Sequence, residues 1–230
     1  MSCILRVKRR EKPSAKPYWQ EFDVGPAPSD TVASLLAGLA ARNPLTDREG
    51  RKAEPVAFEK GCGEAKCGAC AMVINGRPSL ACKTFVRRLG NVIILEPLSK
   101  FPVIHDLVVD RSVIFETLRR AGAYLNERAQ NVKNDSALYQ SARCLLCGCC
   151  MEVCPNFIHG VSSGAGAAVT MYRLLRMEKD QTHRKEMRQA YMSGHYAGCG
   201  VSLACQDICP ADIPVDEIMA KANFLCLTGQ

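Results

Sequence analysis

Residues 62–82 read CGEAKCGACAMVINGRPSLAC, and this stretch decides the fold of the first half of the chain. Four residues separate its first two cysteines, two residues separate the next pair, and a fourth cysteine closes the stretch. Between them, Asn75-Gly76 is a typical two-residue hairpin turn, flanked by the segments AMVI and RPSLAC. The stretch therefore predicts a cysteine loop followed by a β-hairpin.

The spacing C-x4-C-x2-C with a later fourth cysteine is the plant-type pattern for a 2Fe-2S cluster. Such a cluster needs four thiolates and backbone amides close to the sulfurs, and Gly61, Gly63, Gly68 and Ala69 provide a thin loop for that approach. A zinc site usually has matching C-x2-C knuckles, and a disulfide pair is disfavoured in a reducing compartment. The predicted 2Fe-2S ligands are Cys62, Cys67, Cys70 and Cys82.

A second cysteine pattern occurs twice in the C-terminal half. From Cys144 the sequence reads C-x2-C-x2-C-x3-C-P, the bacterial ferredoxin run whose fourth cysteine serves the other cluster. From Cys199 the same frame reads C-x2-S-x2-C-x3-C-P, with Ser202 replacing one cysteine. Exchanging the fourth ligands gives a four-thiol set that suits a 4Fe-4S cluster and a three-thiol set that suits a 3Fe-4S cluster. The first set is Cys144, Cys147, Cys150 and Cys209, and the second is Cys154, Cys199 and Cys205.

Ser202 leaves one alternative open, because a serine oxygen can bind iron and could complete a 4Fe-4S cluster at the third site. Of the fourteen cysteines, three remain outside the ligand sets. Cys149 breaks the ferredoxin frame, and we expect it to be a buried thiol that binds no iron. Cys3 and Cys226 are expected to be small core hydrophobes.

Composition excludes several classes of protein. With 47% hydrophobic residues among 230, the chain can bury a core. The net charge of +7 is spread along the chain and aromatic residues make up only 6%, which does not favour nucleic-acid binding. The N-terminus lacks the apolar core of a signal peptide, and no apolar stretch is long enough to span a bilayer. Grouped cysteines in such an unexported chain predict metal or redox sites.

The sequence predicts an α+β protein of two domains, with limits 1–103 and 104–230. The first half has strand patterns at CILRVKR, YWQEFDV, AMVI, RPSLAC and NVIILEP, and a helix at TVASLLAGLAARN that Thr31 could cap. The second half has helical spacing in VIFETLRRAGAYL, GAAVTMYRLLRME and VDEIMAKANFLCL, so its cysteines are expected in short loops. We find no G-x-G-x-x-G motif, P-loop or nucleophile with an obvious base, so this chain alone is not expected to catalyse.

Four motifs carry a resemblance that covers essentially the whole chain. They are CGEAKCGACAMVINGRPSLAC, PLSKFPVIHDLVVD, CLLCGCCMEVCPNF and CGVSLACQDICPADIP, in this order. Together they resemble the iron–sulfur subunit of the succinate dehydrogenase and fumarate reductase family. The resemblance implies a β-grasp, plant-type ferredoxin domain that holds the 2Fe-2S cluster, followed by an all-helical, bacterial ferredoxin-like domain that holds the other two clusters.

The resemblance also implies partners and a function. The chain would relay electrons between FAD in a flavoprotein subunit and a quinone in the membrane, through 2Fe-2S, 4Fe-4S and 3Fe-4S clusters. It would be an electron-transport subunit of succinate dehydrogenase or quinol:fumarate reductase, in the tricarboxylic acid cycle or in anaerobic respiration. It would lie on the cytoplasmic face of the inner membrane, held peripherally by an anchor subunit and without a transmembrane helix of its own.

Two positions depart from the pattern of ubiquinone-using relatives. Those relatives have a tryptophan shortly after the first CP, where this chain has residues 156–159, and a histidine at the position of Gly200. The departures favour a menaquinone-type partner. His159 is a candidate contact to the quinone or to the anchor, in which haem b is a candidate cofactor; an ordinary surface or interface histidine is the simpler interpretation.

Two other classes of function compete with this one. The chain could be the iron–sulfur subunit of a soluble flavoprotein dehydrogenase or a thiol-linked fumarate reductase, although the thiol-linked relatives carry an added cysteine-rich domain for which 230 residues leave no room. A zinc-binding interaction module would use the same cysteines to hold a colourless metal. Iron–sulfur proteins are coloured, so the colour of the purified protein distinguishes the zinc module from both kinds of iron–sulfur subunit.

Overall fold

The computed structural model describes residues 3–27, 29–129, 132, 135–157 and 163–229. The chain folds as two compact units, an N-terminal unit of residues 1–110 and a C-terminal unit of residues 111–230. The first is built on a β-sheet and the second on helices, so the α+β class is confirmed. The domain limits 1–103 and 104–230 stay a prediction.

A five-stranded mixed sheet forms the centre of the N-terminal unit. Its strands are β1 (Cys3–Arg9), β2 (Tyr18–Val24), β3 (Ala71–Ile74), β4 (Arg77–Leu80) and β5 (Val92–Glu96), in the order β2-β1-β5-β3-β4. Strand β1 pairs antiparallel with β2 and parallel with β5, while β3 pairs antiparallel with both β4 and β5. Period-2 alternation and hairpin chemistry predicted all five strands, and all five are confirmed.

Local sequence signals explain the elements that flank the cysteine loop. Thr31 caps helix α1 (Val32–Ala40), because its side chain accepts a hydrogen bond from the backbone N–H of Ser34. The helix buries its apolar side chains, Leu36 and Leu39 among them, in the core of the unit. Asn75 and Gly76 both have positive φ, as the predicted two-residue hairpin turn requires.

A small hairpin of β6 (Val103–His105) and β7 (Val108–Val109) completes this unit, and no sequence pattern identified it. The buried carboxylate of Asp106, at its turn, lies 2.9 Å from Nε of Arg9. It also accepts the backbone N–H groups of Arg10 and Ala57, each at 3.0 Å. These partners are distant in sequence, which is why local spacing did not reveal the hairpin.

Helices account for most of the C-terminal unit. They are α2 (Ser112–Arg120), α3 (Ser136–Ala142), α4 (Cys149–Glu152), α5 (Gly164–Met177), α6 (Gln181–Tyr191) and α7 (Val215–Thr228), and a π-helical turn (Met192–Tyr196) extends α6. Helix α5 is central, since it packs against all the other helices of the unit and is buried along most of its length. The predicted helical second half is confirmed.

One detail of that prediction is wrong. Cys149 and Cys150 lie in the single turn of α4, whereas loops were expected for the grouped cysteines of this half. Gly148, with φ of 90°, reverses the chain immediately before α4, so the helical turn starts inside the cysteine motif. In the part of the chain that the structure describes, no helix has the length and apolar character to cross a membrane.

We expect Asp106→Asn to lower the free energy of unfolding of the N-terminal unit by about 3 kcal/mol or more, because it leaves the buried Arg9 guanidinium without its counter-charge. Glu96→Gln is the matched control, since it removes the partly exposed Lys8–Glu96 pair and should cost at most about 1 kcal/mol. Urea unfolding followed by fluorescence of the single tryptophan, Trp19, measures both. Equal effects would contradict the assigned role of the buried pair.

Candidate iron–sulfur sites

The first cysteine loop directs backbone N–H groups at its thiol sulfurs. Cys62 Sγ accepts the N–H of Glu64 at 3.3 Å and that of Lys66 at 3.2 Å. Cys67 Sγ accepts the N–H of Cys62 at 3.4 Å, and Cys82 Sγ accepts that of Ala65 at 3.3 Å. These donors stabilise negative charge on sulfur, which is what cluster thiolates require.

The hairpin brings the fourth cysteine to this loop. Cys70 immediately precedes β3 and Cys82 follows the paired strand β4, and their sulfurs lie 3.3 Å apart. The N–H of Cys82 also points at Cys70 Sγ, at 3.5 Å. All four predicted 2Fe-2S ligands therefore lie in one loop-and-hairpin site.

The thiols of this site differ in burial and in pKa. The N–H groups of Glu64 and Lys66 lower the pKa of Cys62 to about 7, so this exposed thiol ionises readily. Burial raises the pKa of Cys70 to about 12. A Cβ atom at Gly61 would lie 2.6 Å from Cys67 Sγ, so the backbone approaches the sulfur as closely as the predicted thin loop requires. The donor set and this close approach fit a 2Fe-2S cluster.

The second set of cysteines surrounds one cavity in the C-terminal unit. Its lining includes Cys144, Cys147, Cys150 and Cys209, the four thiols of the predicted 4Fe-4S set. Aliphatic side chains from α2 and α5, Ile114 and Val169 among them, form much of the remaining wall. Helix α5 passes close to this thiol, since a Cβ atom at Gly166 would lie 3.8 Å from Cys150 Sγ, an ordinary van der Waals distance. Four thiols in an otherwise apolar cavity fit a 4Fe-4S cluster.

Cys149 does not line this cavity, although it stands between two residues that do. Its side chain is fully buried, as expected for a thiol that binds no iron. Cys3 in β1 and Cys226 in α7 are also buried.

The third set lies where the two ferredoxin motifs meet. Burial raises the pKa of Cys205, and negative charge on the nearby Cys154 and Cys199 would raise it further. The side-chain amide of Asn156, two residues after Cys154, donates to the Gly198 carbonyl oxygen at 3.1 Å. The first motif is therefore tied directly to the start of the second. Cys205, with Cys154 and Cys199 nearby, fits a cluster with three protein ligands.

The two cysteine motifs of the C-terminal half also share their backbone conformation. Leu146 has φ of 50° and Val201, in the corresponding place of the second motif, has φ of 51°. Gly148 and its counterpart Leu203 also have positive φ, 90° and 56°. A β-branched residue such as Val201 rarely adopts this conformation. The shared geometry shows that the frame is kept where Ser202 replaces a cysteine, and aligning the two motifs could have predicted it.

One candidate residue cannot be placed. His159 lies outside the described residues, as do 158 and 160–162. Within the described ranges, no group of three or more His, Cys, Asp or Glu side chains is arranged to hold a single metal ion.

Comparisons with known proteins agree with this geometry. Residues 4–116 match the family model described as a 2Fe-2S iron–sulfur cluster binding domain. The succinate dehydrogenase iron–sulfur subunit of Bacillus subtilis is 34% identical over 230 residues, covering 94% of this chain and 89% of that protein. This chain belongs to the family of succinate dehydrogenase and fumarate reductase iron–sulfur subunits.

Two further similar proteins extend this result. The fumarate reductase iron–sulfur subunit of Wolinella succinogenes is 29% identical, covering 94% of this chain and 93% of that protein. A chain in the structure described as the Mycobacterium smegmatis Sdh1 complex in the apo form matches with a TM-score of 0.76 and 22% identity, covering 100% of this chain and 98% of that chain, which shows a shared fold.

Family membership confirms the predicted identity as an iron–sulfur electron-transfer subunit of an oxidoreductase, with 2Fe-2S, 4Fe-4S and 3Fe-4S clusters as its cofactors. The soluble or thiol-linked alternative is not favoured by these relatives. The assignment of individual cysteines to clusters stays a prediction.

We expect Gly61→Ala to reduce 2Fe-2S content by at least half, because its methyl group would lie 2.6 Å from Cys67 Sγ and displace that thiol. Gly25→Ala is the control, since a Cβ atom there meets no atom within 4 Å. Electron paramagnetic resonance (EPR) measures the 2Fe-2S signal of the reduced protein relative to the 3Fe-4S signal of the oxidised protein. Full 2Fe-2S occupancy in Gly61→Ala would contradict the close approach of this loop to its cluster.

Proposed function

We propose that this chain relays electrons between FAD of a flavoprotein subunit and a quinone in the membrane, within a succinate dehydrogenase or quinol:fumarate reductase. The observation that carries the proposal is the placement of three thiol sets on one chain of this family. One set lies in the loop before β3 and directly after β4, one lines the cavity beside α5, and the third has Cys154 and Cys199 close to the buried Cys205.

Each set has a defined role in the proposal. Cys62, Cys67, Cys70 and Cys82 hold the 2Fe-2S cluster, Cys144, Cys147, Cys150 and Cys209 hold the 4Fe-4S cluster, and Cys154, Cys199 and Cys205 hold the 3Fe-4S cluster. When bound, the clusters supply one-electron redox chemistry that no protein side chain here provides. The residues around them fix the sulfurs and, at the first site, present N–H donors.

The finer description of the fold is also part of the proposal. The strand order β2-β1-β5-β3-β4, with β1 and β5 parallel and helix α1 capped by Thr31, supports a β-grasp ferredoxin domain. The repeated backbone conformation of the two cysteine motifs supports a bacterial ferredoxin-like domain in the second half.

A menaquinone-type partner is proposed for the quinone end. Asn156, the first residue of the segment that departs from the ubiquinone pattern, lies close to Gly200, since a Cβ atom at Gly200 would lie 2.6 Å from Nδ2 of Asn156. A histidine at position 200 would therefore displace the amide that ties the loop after Cys154 to Gly198. In this proposal an anchor subunit, with haem b as a candidate cofactor, holds the chain on the cytoplasmic face of the membrane, and His159 is a candidate contact to it.

We expect the purified complex to contain nine non-haem irons per copy of this chain, because the three proposed clusters contribute two, four and three. Quantitative iron analysis with EPR of the oxidised complex tests this, and the 3Fe-4S signal should account for one spin per chain. Ten irons with no 3Fe-4S signal would show that Ser202 completes a 4Fe-4S cluster. Fewer than five irons and a colourless protein would contradict the proposed function.

A further inference from the structure

The side chain of Asn156 connects the two chain segments that carry ligands of the proposed 3Fe-4S site. Asn156 follows Cys154 by two residues. Gly198 and Gly200 stand directly before and after Cys199. Nδ2 of Asn156 donates to the Gly198 carbonyl oxygen at 3.1 Å. These partners are 42 positions apart in the sequence, so the contact joins the two ferredoxin motifs directly.

A tight turn holds Asn156 on the side of the first motif. The backbone N–H of Phe157 donates to the Cys154 carbonyl oxygen at 3.2 Å, which closes a turn around Asn156. Phe157 is buried, and a Cβ atom at Gly164, the first residue of α5, would lie 3.3 Å from its ring. The turn and the buried ring therefore fix the position of Asn156 relative to Cys154.

On the side of the second motif, the amide restrains the peptide unit that leads into Cys199. The Gly198 carbonyl and the Cys199 N–H belong to the same peptide unit, which is planar. The N–H of Cys199 donates to the Tyr196 carbonyl oxygen at 3.3 Å, and that of Gly198 donates to the His195 carbonyl oxygen at 3.1 Å. The hydrogen bond from Asn156 to the Gly198 oxygen completes the set and fixes the backbone from which the Cys199 side chain projects.

The residue after Cys199 leaves the space that the amide occupies. A Cβ atom at Gly200 would lie 2.6 Å from Nδ2 of Asn156 and 3.4 Å from its Cγ and Oδ1. Gly200 does not belong to the glycines with positive φ. The close approach of Asn156, rather than the backbone conformation, therefore opposes a side chain at this position.

We propose that Asn156 is a positioning residue whose side-chain amide holds Cys154 and Cys199 at the separation that the 3Fe-4S cluster requires. This inference rests on the proposed function, because it takes these two cysteines and Cys205 as the ligands of one cluster. Two of the three ligands flank the contact. Its loss should therefore weaken the hold on this cluster and leave the other two clusters unchanged.

The experiment compares Asn156→Asp and Gly200→Ala with the wild-type chain in the intact complex. Aspartate has nearly the shape of asparagine but no side-chain N–H, so Asn156→Asp removes the hydrogen bond and keeps the packing on Gly200. The rate at which an iron chelator removes the 3Fe-4S EPR signal of the oxidised complex is measured against the loss of the 2Fe-2S signal. We expect the 3Fe-4S signal to disappear about fivefold faster in both variants, the order of effect of one hydrogen bond, with no change at the 2Fe-2S cluster.

A double variant tests the contact between the two residues. Gly200→Ala acts by displacing the amide, so it should add little once Asn156→Ala has removed that amide. Residues in contact give such non-additive effects, whereas independent sites add. We expect Asn156→Ala with Gly200→Ala to lose the 3Fe-4S signal no faster than Asn156→Ala alone. Additive rates would overturn the proposal.

A control variant and the wild-type complex complete the test. Asn126→Ala removes another side-chain amide that joins distant segments, since Nδ2 of Asn126 donates to Asp180 at 2.6 Å, and should leave the 3Fe-4S rate unchanged. An unchanged rate in Asn156→Asp or Gly200→Ala, or an equal acceleration at all clusters, would overturn the role of Asn156. A wild-type complex without a 3Fe-4S signal would instead reject the proposed cluster set, and this inference with it.

Discussion

The rest of this structure depends on the need to hold thiolate sulfurs beside hydrogen-bond donors. A thiolate in an apolar environment is costly, and backbone N–H groups compensate for that cost only when the chain can pass very close to the sulfur. The first loop meets this need with four N–H groups between 3.2 and 3.4 Å from its sulfurs and with the close approach at Gly61. The sheet and helix α1 position this loop.

The same need explains the left-handed residues of the second half. In each ferredoxin motif the third and fifth positions have positive φ, which curves the backbone around the cysteines. The first motif has Leu146 at the third position and Gly148 at the fifth, whereas the second has non-glycine residues, Val201 and Leu203, at both. That the strain persists beside Ser202 indicates that the loop shape is required even where one thiol is missing.

The sequence predicted what depends on local spacing. The five strands of the sheet, the Thr31 cap, the Asn75-Gly76 turn and the thiol sets all come from patterns within a few tens of residues. The β6–β7 hairpin was not predicted from the sequence, because Asp106 is held by Arg9 and Ala57, which are far away in the sequence. The α4 turn was not predicted either, because four residues are too few to show a helical period.

Side-chain contacts around the sites were beyond sequence reasoning for a related reason. Cysteine spacing identified Cys149 as a thiol outside the frame, but only the structure shows that its side chain is fully buried and does not line the cavity. The proximity of Gly200 to Asn156 likewise depends on how the two motifs pack.

The central claim is that the two ferredoxin motifs exchange their fourth ligands, and paired EPR spectra of Cys209→Ser and Cys154→Ser in the intact complex test it most directly. Cys209 lines the cavity of Cys144, Cys147 and Cys150, although it belongs to the other motif. We predict that Cys209→Ser loses the 4Fe-4S signal and keeps the 3Fe-4S signal, and that Cys154→Ser does the reverse. Loss of the 3Fe-4S signal in Cys209→Ser, with the 4Fe-4S signal intact, would contradict the exchange.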